Sequence, residues 1–356
     1  MPKKNGYLLN AIIVTFSIIF GIIGAEFLFQ GYSRVRTGNK FNLSDRDNLL
    51  GWTASKNANV IMHGTTKGGV AYKINYQTDN NGFRTIEEDL TNSRKKIITI
   101  LVIGDSFTGG AYASNNDMWY AKLQQNLPVR VLAHGQSGYG TFQEYLLFKR
   151  LSKEIKPDIL LIQFCPNDVS NDYLEYSNYS IVRGQDLIRP YFKNGKAVFN
   201  EKPTAHIYRF LHKNSSIFRR LDLWLENVQY QKYGYSKLPQ EMEHEFQIKA
   251  ANNWSYIYQM FVNEAKALGV QKVWSISCNP NPSNPMNIIW LQKSNQLGVK
   301  TFLGPANSVK LAEMAEIDVR HSDGGHWNHT GNKIAGDSLV DEILTNNLLD
   351  NLHPGK

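Results

Sequence analysis

Cysteine is scarce: Cys165 and Cys278 are the only two in 356 residues. That excludes a disulfide-dense scaffold and a four-cysteine zinc site, and neither residue stands in a CxxC pair. Both lie in separate apolar stretches, which reads as buried free thiols, with one disulfide between them as the alternative. Internal repeats and low-complexity tracts are also missing, so solenoid and collagen-like architectures are excluded. Concentrated positive charge is lacking too. The net charge is +8, but residues 1–40 hold five basic residues against Glu26, half of the excess in a ninth of the chain. What remains is too dilute for a phosphate-tracking stripe, and no nucleic-acid partner is expected.

One long apolar run is present. Leu8 to Phe29 (LLNAIIVTFSIIFGIIGAEFLF) carries a single charge, Glu26. At about 1.5 Å per residue it matches the roughly 30 Å core of a bilayer. Lys3 and Lys4 also suit the start of a signal peptide, but the apolar run continues through Phe27, Leu28 and Phe29, and Ile23 is a poor residue three before a cut at Ala25. An uncleaved N-terminal transmembrane helix is therefore expected, with the lipid bilayer as its partner. Basic residues on both flanks leave its orientation open.

Three regions follow: 1–30 as membrane anchor, 31–95 as an extended β-rich segment, and 96–350 as an α/β domain. In the last, Ile97–Ile103, Val129–Ala133, Ile159–Phe164 and Val273–Ser277 are unbroken apolar runs, as strands buried on both faces require. Helical stretches stand beside them at Thr141–Ile155, about Phe246–Leu268, Met286–Leu297 and Thr330–Leu348. This alternation predicts a three-layer, flavodoxin-like α/β sandwich around a parallel sheet. Residues 173–245, aromatic-rich and basic without a strong period, interrupt it as an insertion, read either as a cap over the active face or as a surface excursion with no catalytic role.

Ligands of such sheets bind at the carboxyl ends of the strands. After the first strand comes Gly104-Asp105-Ser106-Phe107-Thr108-Gly109-Gly110, which places Ser106 at a helix N-terminus. It is not a GxSxG elbow, and its Ser/Thr/Gly content equally suits a phosphate cradle. Ala133 to Gly140 follows the second strand, with glycines that let backbone amides approach a substrate oxygen. Cys165-Pro166-Asn167-Asp168 follows the third, where the Asn167 amide can donate into the same crevice. Near the C-terminus, Asp323 precedes His326 by three residues. That spacing lets the carboxylate receive the Nδ1 proton while Nε2 serves a serine hydroxyl.

Taken in order, the GDS block with Ser106, the glycine block with Gly138, the ND block with Asn167 and the DxxH block with Asp323 and His326 resemble the SGNH (GDSL-type) hydrolase superfamily. The resemblance covers about 97–348 outside the insertion. It implies Ser106 as nucleophile, His326 as general base and Asp323 as its orienting partner. The implied oxyanion hole is the Ser106 amide, the Gly138 amide and the Asn167 side chain. Two positions depart from the family pattern: Cys165 replaces a glycine, and Ala133 replaces the usual asparagine of the glycine block. Thr78 to Arg84, ending in an N-x-GFR-like turn, is more loosely similar to membrane-anchored alginate O-acetylation proteins.

The expected function is a serine esterase acting on acyl, chiefly acetyl, esters of an envelope glycan or another small ester, with the catalytic domain extracytoplasmic. An O-acyltransferase using the same acyl-enzyme is the alternative, and a non-catalytic glycan-binding module a third. A flavin- or nucleotide-binding flavodoxin relative would give no reason for DxxH, so no cofactor is expected. His321, His326 and His329 lack an evident fourth ligand, so no metal is expected either. Asp105 reads as a local cap, His134 as structural, Trp327 and Asn328 as supports of the histidine loop, and Arg84 as a turn-stabilising cation. Tyr208, Trp224, Tyr230 and Tyr233 of the insertion divide between a small cap core and sugar stacking.

Overall fold

The computed structural model describes residues 10, 13–17, 20–21 and 23–28, then 43–352 except 88–97, 181–182, 201–202, 234–236 and 280. The predicted membrane span 8–29 thus lies in part outside the described residues. Those within it that are described are helical. Among the described residues, no helix is long and apolar enough to cross a membrane.

The strands are β1 (Ser44–Asp47), β2 (Gly51–Ala54), β3 (Asn59–Thr65), β4 (Ala71–Gln77), β5 (Ile98–Gly104), β6 (Val129–Gly135), β7 (Ile159–Phe164), β8 (Pro190–Lys193), β9 (Lys196–Phe199), β10 (Lys272–Ser277) and β11 (Lys300–Phe302). The helices are α1 (Ser106–Gly109), α2 (Ala121–Asn126), α3 (Thr141–Leu151), α4 (Asn167–Asn171), α5 (Arg183–Ile188), α6 (Pro203–Asn214), α7 (Ser216–Tyr233), α8 (Gln240–Ala267), α9 (Pro285–Gln296), α10 (Gly304–Met314) and α11 (His329–Thr345).

Five strands form one parallel sheet in the order β11-β10-β7-β5-β6. Successive residues of a strand face opposite sides, so each apolar run feeds two cores. Ile100 and Val102 of β5 pack with α2, α10 and α11 through Leu123, Val309 and Leu339. Leu101 and Ile103 pack with α3, α8 and α9 through Phe148, Trp254 and Trp290. The result is the expected α/β sandwich of three layers. The short strand β11 and helix α10 are additions to the sequence expectation.

Between β7 and α8, the insertion contains α5, the antiparallel hairpin β8–β9, α6 and α7. The expectation of no strong period fails for α7. Ile217, Leu221, Trp224, Leu225 and Val228 recur at helical spacing, and all five are exposed.

The two cysteines are not free. Cys165 and Cys278 form a disulfide with Cα atoms 5.4 Å apart. The sheet register explains it: Phe164 of β7 pairs with Ser277 of β10, so the next residue of each strand meets the other. The Cys278 amide also donates to the Phe164 carbonyl at 3.0 Å.

Before the sheet, the β3–β4 hairpin lies against the loop that carries His326. The Ser322 amide donates to the Thr65 carbonyl, and the Lys67 amide to the Arg320 carbonyl. The Gly68 amide donates to Asp318 Oδ2 at 3.0 Å.

Candidate active site

Because β6, β5 and β7 are neighbours, the residues that follow their carboxyl ends emerge side by side. Ser106 stands two residues after β5, Gly138 three after β6 and Asn167 three after β7. Gly104 is required by space, since a Cβ there would sit 2.4 Å from Gln163 Oε1 and 2.5 Å from Thr108 Oγ1. Asp105 then caps the single turn of α1 by accepting from the Phe107 amide. The chain turns sharply and leaves Ser106 as the first helical residue.

Ser106 Oγ lies 2.7 Å from His326 Nε2, and His326 Nδ1 lies 2.7 Å from Asp323 Oδ2. With the ring proton on Nδ1 donating to the carboxylate, Nε2 accepts from the serine hydroxyl. The other Asp323 oxygen accepts from the amides of Gly325 and His326. Burial opposes ionisation of Asp323, but the His326 ring and these two amides outweigh it and hold the carboxyl far below the usual carboxylate range. It therefore stays charged beside the imidazole across ordinary pH.

The histidine is held from both faces. The Tyr112 ring stacks on it at 3.9 Å and 8°, and Phe107 lies at 4.9 Å on a tilt. Asn328 fastens the loop behind: its side chain accepts from the Thr330 and Gly331 amides and donates to the carbonyls of Asp318 and Arg320. Trp327 is buried edge-on against Phe107. His321 faces Tyr112, whereas His329 opens α11 against Tyr72. The three share neighbours: Tyr72 lies against both His321 and His329, and His321 Nδ1 is 3.6 Å from the Asp323 oxygen that His326 uses.

On the other side of Ser106, Asn167 Nδ2 is 3.4 Å from Asp105 Oδ2, beside the serine turn. Gly138 has φ +79°, a conformation that favours glycine. A Cβ on it would also meet Gln185 Oε1 at 2.0 Å, so α5 of the insertion reaches the glycine block. The disulfide ties Cys165, two residues before Asn167, to the loop after β10.

Other singled-out residues occupy supporting places. His134 is buried with Nδ1 unpartnered, and burial pulls its pKa down to about 3, so it stays neutral. Arg84 donates to Asn115 Oδ1 and to the Gly110 and Ala113 carbonyls, bracing the segment that carries Tyr112, and has no carboxylate partner among the described residues. Asp172 accepts from the Phe142 amide, and burial pushes its carboxyl up to about 7. Tyr112 and Gln185 escaped the sequence reading, because each matters only through a partner far away in the chain, and the disulfide was the less favoured of two readings.

No protein-family model and no curated protein matches this chain. Several solved structures do. TesA is 14% identical, with a TM-score of 0.41, over 69% of this chain and 97% of TesA. A variant of the acetyl xylan esterase Axe2 from Geobacillus stearothermophilus is 17% identical, with a TM-score of 0.37, over 70% of this chain and 97% of that one. A member of the lipolytic protein G-D-S-L family from Veillonella parvula is 10% identical, with a TM-score of 0.38, over 68% of this chain and 97% of that one.

Proposed function

We propose that this chain is a serine ester hydrolase whose nucleophile is Ser106. The observation that carries the reading is the pair of 2.7 Å contacts from Ser106 to His326 and from His326 to Asp323, at the carboxyl ends of a parallel sheet. As the Ser106 oxygen attacks an ester carbonyl, His326 Nε2 takes its proton and Asp323 stabilises the resulting imidazolium. The Ser106 amide, the Gly138 amide and Asn167 Nδ2 hold the oxyanion, each such donor being worth about 3 kcal/mol in the transition state. His326 returns the proton to the leaving alcohol. Water, activated by the same histidine, then attacks the acyl-enzyme and releases acid and free serine.

The substrate in this reading is a small acyl ester, with an acetylated envelope glycan as the natural class. Residues 8–29 anchor the chain in the membrane and the catalytic domain is extracytoplasmic. Two features support that placement: the apolar length of the N-terminal run, and the Cys165–Cys278 disulfide, since such bonds persist in oxidising compartments.

The test is p-nitrophenyl acetate cleavage by the full chain in detergent, wild type beside Ser106→Ala, with a sugar acceptor present or absent. Wild-type turnover that falls by about three orders of magnitude or more in the variant is expected. Equal rates in the two proteins would remove Ser106 from the chemistry. Acetylated sugar among the products would move the reading from hydrolysis to transfer.

A further inference from the structure

Helix α7 is built inside out. Phe218, Asp222 and Glu226, four residues apart, turn toward the protein. Phe218 packs edge-on against Tyr208, whose hydroxyl donates to Asp222, and Glu226 Oε1 accepts from the Gly184 amide. Burial and the neighbouring Asp222 push the Glu226 carboxyl up to about 7, even against the Gly184 amide. The opposite face presents Ile217, Leu221, Trp224, Leu225 and Val228, with Trp224 59% exposed. Ile207 and Phe210 of α6, exposed at 63% and 66%, extend the same surface. A helix in water buries its apolar stripe, so this one is ordered for another medium.

Two observations identify that medium. First, Glu26, near the end of the apolar N-terminal run, is bonded to the start of α7. Its carboxylate accepts from Ser215 Oγ and from the Ser216 and Ile217 amides. The exposed stripe therefore begins beside the helical residues 23–28, of which Phe27 and Leu28 are exposed at 72% and 78%. Second, residues 203–238 contain six Lys or Arg against two acids, Asp222 and Glu226, and both acids face inward. Basic residues flanking an outward apolar stripe suit an anionic lipid surface.

We propose that α6 and α7 lie in the plane of the membrane interface, with the apolar face of α7 among lipid acyl chains beside the N-terminal anchor. This rests on the reading of 8–29 as a bilayer segment, though not on the ester chemistry. Its consequence is geometric. Through Gly184, α7 is one hydrogen bond from α5, whose Gln185 stands over Gly138, so the oxyanion side of the site is linked to the membrane surface.

The chain supplies its own probe. Of its seven tryptophans, Trp224 is exposed, whereas Trp52, Trp119, Trp254, Trp274, Trp290 and Trp327 are buried. The full chain is reconstituted into vesicles of phosphatidylglycerol and phosphatidylcholine, the latter with plain or brominated acyl chains. Flotation establishes attachment, and tryptophan emission is compared between the two lipids. The brominated-to-plain emission ratio is expected below one for wild type and close to one for Trp224→Phe, a change that leaves α7 helical and apolar. A chain that floats but gives the same ratio for both proteins overturns the proposal. If it also cross-links to a second copy through this face, the occupant is another protomer. A chain that does not float overturns both the anchor and the interface, and leaves the hydrolase reading standing.

Discussion

Helices α11 and α7 are nearly the same length, 17 and 18 residues, and face opposite ways. Along α11 the buried set includes Ala335, Leu339, Val340 and Ile343, which fill the space beneath the sheet. Along α7 the residues that touch protein include two carboxylates, and Ile217, Leu221, Trp224, Leu225 and Val228 point away. Both helices obey one rule, that an apolar stripe goes to the least polar neighbour available. In the sandwich that neighbour is the sheet. In the insertion, under our proposal, it is lipid.

The largest expected effect concerns the sandwich. Asp323→Asn should lower kcat for ester cleavage by about 10⁴, because the amide favours the wrong ring tautomer. It should leave the Trp224 emission ratio unchanged. A loss below tenfold would mean that His326 is oriented by Tyr112 stacking and its loop, without Asp323. A changed emission ratio would mean that the two regions are not independent.

Next comes a matched pair in the two helices. Leu339→Ala should cost about 2–5 kcal/mol of stability in detergent, measured by denaturant or thermal unfolding. Leu221→Ala on the outer face of α7 should cost less than about 0.5 kcal/mol. Equal costs would show that the α7 stripe is packed against protein and would break the comparison.

The smallest effect concerns protons. Asp172 and Glu226, one in each region, have carboxyls raised to about 7. A raised carboxyl binds more protons in the folded than in the unfolded chain. Its stabilisation is therefore complete below the unfolded pKa and is lost as pH rises through about 7. The melting temperature should be about 5 °C higher at pH 5 than at pH 8, and Asp172→Asn should flatten that slope. Glu226→Gln should flatten it less, since Glu226 is less deeply buried. The opposite slope would show that Asp172 is ionised in the fold.

Much of this was legible in the chain. Ile98–Gly104, Val129–Gly135 and Ile159–Phe164 could be read because a parallel strand buried on both faces gives an unbroken apolar run, within a residue or two of its ends. Ser106, Asn167, Asp323 and His326 could be read because their blocks directly follow or precede such elements. The three-residue strand Lys300–Phe302 is too short for any period, and Pro305 disguises the start of α10. The disulfide needed the pairing of Phe164 with Ser277, which no local pattern carries. The α7 stripe was present in the residues but blurred, because Phe218 and Leu223 fall between its members.

The hairpin that braces the histidine loop joins the two ends of the chain in time as well as in space. Gly68 and its bonding partner Asp318 are 250 residues apart. During synthesis the hairpin must wait for 250 further residues before this bond can form. Of Ser106, Asp323 and His326, the histidine is made last, long after the hairpin that supports its loop. Under the proposed chemistry, Ser106 therefore has no base until residue 326 has been made and its loop has docked on the hairpin. A chain stalled before residue 318 would also lack α11 and the Leu339, Val340 and Ile343 side chains that pack on β5.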